Sequence, residues 1–225
     1  MRQTLRVIGE VALTAGAVIL LFVCYLIWGS GIRAAQAQRA LTKELTQQWT
    51  GARPGGSVRP VSARTVRGDQ IRIAPETFGV ATGQPFAFIK VPAFGTGWEF
   101  PLIQGTDLAQ LNISPGHVPG TQWPGEIGNF AVAGHRVTSG NPFWSLPSLR
   151  PGDLVKIQTR LNDFTYKVTG EQLVPPGDVA VLDPVPGHPG AHPTQRLITL
   201  ITCDPPWTGT HRVIVTGILV AATPR

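Results

Sequence analysis

The chain is poor in cysteine, with two in 225 residues. Cys24 lies within an apolar N-terminal run and Cys203 far along the chain, so the two are not placed to bridge each other. Metal-binding spacings such as CxxC and HExxH are missing, although His188 and His192 lie close together, so no zinc site is expected. A glycine loop of the kind that cradles phosphate is equally absent, and no cofactor is expected. No repeat of fixed period is visible. Beyond Pro75 few segments are long enough, and free enough of glycine and proline, to form helices of any size.

Strong charge is missing from the larger part of the chain. The formal net charge is +6, but residues 1–75 hold ten Lys/Arg against three Asp/Glu (+7), and residues 76–225 hold nine against ten (−1). A near-neutral domain has no electrostatic footprint for nucleic acid, which excludes that class of partner. The basic N-terminal part fits anionic lipid headgroups or a solvated linker.

What is present begins with an apolar run. Residues 11–28, VALTAGAVILLFVCYLIW, contain no charge and no proline. As a helix they span about 27 Å, enough for one membrane crossing. A cleaved signal peptide competes, since Arg2 and Arg6 give a positive flank and Ala35-Gln36-Ala37 is a small-x-small triplet. The run is longer than a usual signal core and the triplet lies well beyond it, so an uncleaved transmembrane anchor is expected. Residues 1–10 are then a short cytoplasmic flank and the rest is extracytoplasmic. Residues 29–50 predict a short helix leaving the membrane, with Leu41 and Leu45 four apart, and the Gly/Pro/Arg/Ser-rich text from Gly51 to Pro75 predicts a linker. The whole of 29–75 is thus expected as a helix and linker, and 76–225 as the folded domain.

In that domain short apolar stretches alternate with glycine and proline: 85–91, 99–103, 129–133, 154–159, 164–174, 197–202 and 212–220. Phe164, Tyr166 and Val168 alternate with polar residues at the period of a half-buried strand. Seven or eight such strands predict an all-β sandwich or barrel. The proline-rich stretch from Val174 to Pro193 reads as a long loop between strands.

Cys203 ends one strand-like stretch, at the rim of a sheet. A buried thiol acting as a small hydrophobe is the plain reading. The following Asp204-Pro205-Pro206 is poor company for a core position, and an exported, unpartnered thiol points instead to a reactive cysteine. A nucleophilic cysteine needs an imidazole or another positive group. Of five histidines, His135 is the best placed, because Gly134-His135-Arg136 also ends a strand; His117, His188, His192 and His211 are the others. Arg212 opens the next strand, and the loop Asp204 to His211 brings it back to the end where Cys203 lies. Its plain role is a surface ion pair; its sharper one is to oppose the oxyanion of an acyl-transfer intermediate.

Thr199-Leu200-Ile201-Thr202-Cys203 matches the TLxTC signature of the sortases, membrane-anchored cysteine transpeptidases. Gly128-Asn129-Phe130-Ala131-Val132-Ala133-Gly134-His135-Arg136 resembles the segment that carries their histidine, and Arg212-Val213-Ile214-Val215 their arginine-bearing strand. The three occur in the family's chain order, and the resemblance covers roughly residues 80–220. The segment VPPGDVAVLDPVPG looks like the corresponding loop of class D and class E members, and AGHR with the Arg- and Ala-rich composition fits class E best.

This resemblance implies an all-β fold, a closed eight-stranded β-barrel with short helices and turns, preceded here by the transmembrane helix. It implies Cys203 as nucleophile on the Thr–Gly bond of an LPXTG- or LAXTG-like sorting signal, through a thioester passed to an amine of a cell-wall precursor or a pilin. His135 becomes the proton carrier and Arg212 the oxyanion partner, with Thr202, Thr199 and Asp204 at the substrate. Partners are then proteins bearing the signal, the amine acceptor and the membrane. Calcium, which regulates some members, finds only Asp178 and Asp183 before the cysteine strand, which is no cluster of oxygen ligands. Asp204 is the difficulty: a carboxylate beside the nucleophile disfavours the thiolate, so either Arg212 and His135 outweigh it or it points away. The rivals are a secreted thiol hydrolase with water as acceptor, and a non-catalytic binding barrel of the cell envelope.

Overall fold

The structure is a computed structural model describing residues 2–51 and 71–225, the side chains of 2, 5 and 23–30 excepted. Eight strands follow one long helix, α1 (Arg2–Gly51). They are β1 (Pro85–Lys90), β2 (Glu99–Gln104), β3 (Gly116–His117), β4 (Gly128–Ala133), β5 (Leu154–Gln158), β6 (Asn162–Val174), β7 (Arg196–Asp204) and β8 (His211–Pro224). A four-residue helix, α2 (Leu108–Leu111), joins β2 to β3. The expected strands are all found, with ends moved by a few residues. Only the two-residue β3 was not foreseen, being too short to show a period.

The strands close in the order β1-β2-β3-β4-β7-β8-β6-β5, which is the expected eight-stranded barrel. Two neighbouring pairs, β2 with β3 and β4 with β7, are parallel; the other pairings are antiparallel. Alternation fills the interior: Phe164, Tyr166 and Val168 of β6 point inward, as their spacing predicts, and meet Ile89, Leu102, Phe130, Val132, Ile198 and Leu200. Each such side chain contributes about 1.5–3 kcal/mol by leaving water. A smaller cluster of Val174, Val181 and Ile214, with Leu182 and Ile201, lies on the outer side of β7 and β8.

The N-terminal part departs from expectation in two ways. Helix α1 runs without a break from residue 2 to 51, through the Gly29-Ser30-Gly31 text that separated span from stalk helix in the sequence. Its second half packs on the barrel, burying Ala34 and Leu45. Among the described residues no helix is long and apolar enough to cross a membrane. Residues 23–28 of the expected span lie outside the described side chains, and most of the expected linker, 52–70, lies outside the described residues. Its last residues are part of the domain. Ile71 bridges Ala222, and the Arg72 amide donates to the Ala222 carbonyl at 2.8 Å. The Glu76 carboxylate accepts from Thr159 Oγ1 at 2.5 Å and Asn162 Nδ2 at 3.2 Å.

His117 lies inside the barrel, 1% exposed, with Nδ1 2.6 Å from Gln104 Oε1 and Nε2 3.1 Å from the Gln122 carbonyl. Burial, only partly offset by its hydrogen bonds, lowers its pKa to about 4. The neutral ring is therefore favoured by folding. Its contribution is complete above the unfolded value near 6.5 and is lost as pH falls toward 4. Urea titrations are expected to lose roughly 3 kcal/mol through this group between pH 7 and pH 4, and His117→Gln is expected to flatten that slope.

Candidate active site

Parallel pairing of β4 with β7 brings their C-terminal ends to one rim. Ala133 pairs with Ile201, and the Gly134 amide continues the ladder by donating to the Ile201 carbonyl at 3.1 Å. Two steps along each strand stand His135 and Cys203, on strands about 4.8 Å apart. Antiparallel β8 begins at the same rim, with Arg212 directly opposite Cys203.

Alternation also settles the face. Phe130 and Val132 of β4, Ile198 and Leu200 of β7, and Val213 and Val215 of β8 belong to the interior core. Residues of opposite parity, namely His135, Cys203 and Arg212, therefore lie on the outer wall. Cys203 is a free, half-buried thiol.

Each of the three is held by its own neighbours. His135 Nε2 lies 3.2 Å from Asn112 Oδ1, just after α2. An amide oxygen accepts, so this bond calls for the Nε2–H tautomer and leaves Nδ1 as the proton acceptor. Burial holds the imidazole pKa below 6.5, so the ring is mainly neutral at pH 7. Behind it, the Phe143 amide donates to the His135 carbonyl at 3.0 Å. The Phe143 ring packs so close that a Cβ on Gly134 would meet it at 2.7 Å, which explains glycine before the histidine. Arg212 Nη1 donates to the carbonyls of Gly209 at 2.7 Å and His211 at 2.9 Å. Its other N–H groups carry no hydrogen bond to the described residues. Gly209, at φ +61°, crosses directly over the thiol: a Cβ there would lie 3.7 Å from both Cys203 Sγ and Arg212 Nη1.

Asp204 is resolved by the same alternation. It follows Cys203, so it faces the other way, and its Oδ1 pairs with Arg136 Nη1. The two side chains are only 26% and 14% exposed. Arg136 Nη1 also reaches the Cys203 carbonyl at 3.4 Å. The carboxylate expected to oppose the thiolate, and to sit at the substrate, is instead neutralised within a tie between the ends of the histidine and cysteine strands.

Both threonines are corrected too. Thr202 is buried, facing inward, and its hydroxyl donates to the Gly134 carbonyl at 2.8 Å, bracing the turn before His135. Thr199 is fully buried and donates to Asn129 Oδ1 at 2.7 Å. Asn129 Nδ2 in turn donates to the carbonyls of Val181 at 3.0 Å and Asp183 at 3.1 Å, pinning the β6–β7 loop to the wall. Their hydroxyls are spent within the protein, so neither lines an open groove. Of the remaining histidines, His188 and His192 lie exposed on the β6–β7 loop and His211 is exposed at the start of β8.

Sequence reasoning missed Asn112, Arg136 and Gly209. Arg136 stands in the quoted AGHR, but its partner lies 68 residues away. Nothing marks Asn112. Gly209 was legible as a turn glycine in the loop between Cys203 and Arg212, though not as the residue over the sulfur.

Fold and site together define a closed β-barrel with cysteine, histidine and arginine on the outer wall at one rim. The Sortase domain profile matches residues 89–220, and the chain belongs to the sortase family. It is 34% identical to Sortase SrtE1 of Streptomyces coelicolor over 98% of its own length, and spans 58% of that protein. Among solved structures it is similar to sortase E of Streptomyces avermitilis, with 41% identity and a TM-score of 0.58 over 64% of this chain and 93% of that one. It is also similar to Sortase E1 of Streptomyces coelicolor with a tripeptide in its active site, with 37% identity and a TM-score of 0.59 over 65% and 94% of the two chains.

Arg136→Met is expected to strand the Asp204 carboxylate at a cost of about 2 kcal/mol, read as a melting point lowered by roughly 4–8 °C. Gly209→Ala places a methyl against Sγ, so iodoacetamide is expected to alkylate Cys203 more slowly in that variant than in the wild type.

Proposed function

We propose that the protein is a sortase transpeptidase that cleaves an LPXTG- or LAXTG-like sorting signal between threonine and glycine and transfers the threonyl group to an amine. The observation that carries this reading is the placement of Cys203, His135 and Arg212 on one outer face at one rim. An extended peptide lying along the wall there meets all three.

In the proposed reaction Cys203 gives its proton to His135 Nδ1, and the sulfur attacks the threonine carbonyl carbon. The carbonyl oxygen takes up negative charge, and the N–H groups of Arg212 not bound to Gly209 and His211 oppose it. As the C–N bond breaks, His135 returns the proton to the leaving glycine amine. A thioester remains. The acceptor amine attacks this carbonyl, loses a proton to His135, and displaces the sulfur as the C–S bond breaks. The proton returns to the thiol, and the enzyme is restored. A neutral imidazole at pH 7 suits this cycle, since it starts as a base and becomes an acid within each half-reaction.

The partners under this reading are proteins bearing the signal and an amine of a cell-wall precursor or a pilin. The protein sits in the cell membrane through a single crossing at residues 11–28, with residues 1–10 inside and the barrel outside. Seven large apolar side chains of α1 between Val11 and Phe22 are each at least 58% exposed, which suits a lipid environment. The resemblance to class E sortases, which implies a preference for LAXTG, favours that signal over LPXTG.

Incubation with an LAXTG peptide and triglycine is expected to give a Cys203 acyl-enzyme by mass spectrometry, followed by the transferred product. Cys203→Ala is expected to abolish both, and Arg212→Ala to lower kcat roughly 100-fold. Release of free acid alone in the presence of triglycine would identify a thiol hydrolase. No reaction with either peptide would favour a binding barrel.

A further inference from the structure

The N-terminal helix reaches the loops that flank His135. On the face of α1 that meets the barrel, Ala34 and Leu45 are buried, and Trp49 packs edge-on against Phe88 with ring centroids 5.3 Å apart. The Arg225 guanidinium lies over the same Trp49 ring at 5.0 Å. Gln38, one turn after Ala34, sits on this docked face. Its amide nitrogen donates to two separate loops, to the Ile113 carbonyl at 2.9 Å and the Ser139 carbonyl at 3.2 Å.

These are the loops on either side of His135. Ile113 follows Asn112, whose side-chain oxygen bonds His135 Nε2. Ser139 lies four residues past His135, in the turn that returns through the Phe143 amide to the His135 carbonyl. That turn is left-handed at three successive residues: Ser139 (φ 58°), Gly140 (φ 82°) and Asn141 (φ 54°). For residues other than glycine such backbone costs about 1–2 kcal/mol each, and it persists where the surroundings over-determine it. Gln38 is part of those surroundings, since a Cβ on Gly140 would lie 3.5 Å from its Nε2.

We propose that Gln38 is a positioning residue for His135: one amide of α1 fixes the Asn112 loop relative to the Ser139 turn, and so fixes the ring in its Nε2–H tautomer. Helix α1 is then a working part of the site as well as a tether. The consequence for rate rests on the sortase reading; the tautomer of His135 does not.

The test uses the full chain in detergent. Gln38→Met keeps side-chain length and helix propensity but removes both donated hydrogens, and Gln38→Glu sets a carboxylate against two carbonyls. Long-range ¹H–¹⁵N spectra of His135 are expected to show the pure Nε2–H pattern in the wild type and a tautomer mixture in both variants. Transfer kcat is expected to fall about tenfold, as for a catalytic group displaced by less than 1 Å, with KM within about twofold. A wild-type tautomer pattern in both variants overturns the proposal. So does a mixture already present in the wild type, or a change that appears only with loss of the barrel's amide dispersion. Should the wild type transfer no peptide, the sortase reading fails, and the His135 spectra still decide the role of Gln38.

Discussion

The site depends on the parallel pairing of β4 with β7. Antiparallel neighbours would put the ends of these strands at opposite rims, with His135 and Cys203 a strand length apart. Parallel neighbours end together, and the register Ala133 to Ile201 sets both side chains at one level. Antiparallel β8 then needs only a short loop to bring Arg212 opposite Cys203. Strand alternation does the rest, turning all three outward while Thr202 and Asp204 turn inward.

The inward set is what lets the outward set keep its place. Thr202 holds the carbonyl before His135, and Asp204 holds the arginine after it. The wall is thus tied behind the reactive groups by a neutral hydrogen bond and an ion pair. Most of the Asp204 charge is spent on Arg136, on the far side of the strand from the sulfur. Arg212 is restrained differently, by the carbonyls of its own loop, which leaves its remaining N–H groups without a hydrogen bond to the described residues.

Much of this was legible in the sequence, and the reasons can be given residue by residue. Cys203 and Arg212 form a local hairpin, so spacing alone places them together. Phe164, Tyr166 and Val168 announce their strand because one face is buried and the other solvated. Thr199 and Thr202 were placed at the substrate by adjacency in the signature, whereas alternation turns Thr202 inward and the β6–β7 loop covers Thr199. The partnership of His135 with Asn112, of Arg136 with Asp204 and of Gln38 with two loops rests on contacts between distant segments, which no local pattern encodes. The unbroken course of α1 through Gly29-Ser30-Gly31 overrides the weak helix propensity of glycine, a cost of about 1 kcal/mol each that a long helix tolerates.

The two halves of the site differ in how they come into being as the chain folds. The Cys203–Arg212 hairpin closes a loop of a few residues and needs little of the barrel. The ties between the histidine and cysteine strands span 68 residues, and their loop-closure entropy is repaid only when β5, β6 and the long loop after β6 are in place. A partly folded chain therefore brings the thiol beside an arginine before it brings the imidazole to the same rim. Under the proposed reading, acyl transfer therefore waits for closure of the barrel, because the imidazole reaches the thiol only then.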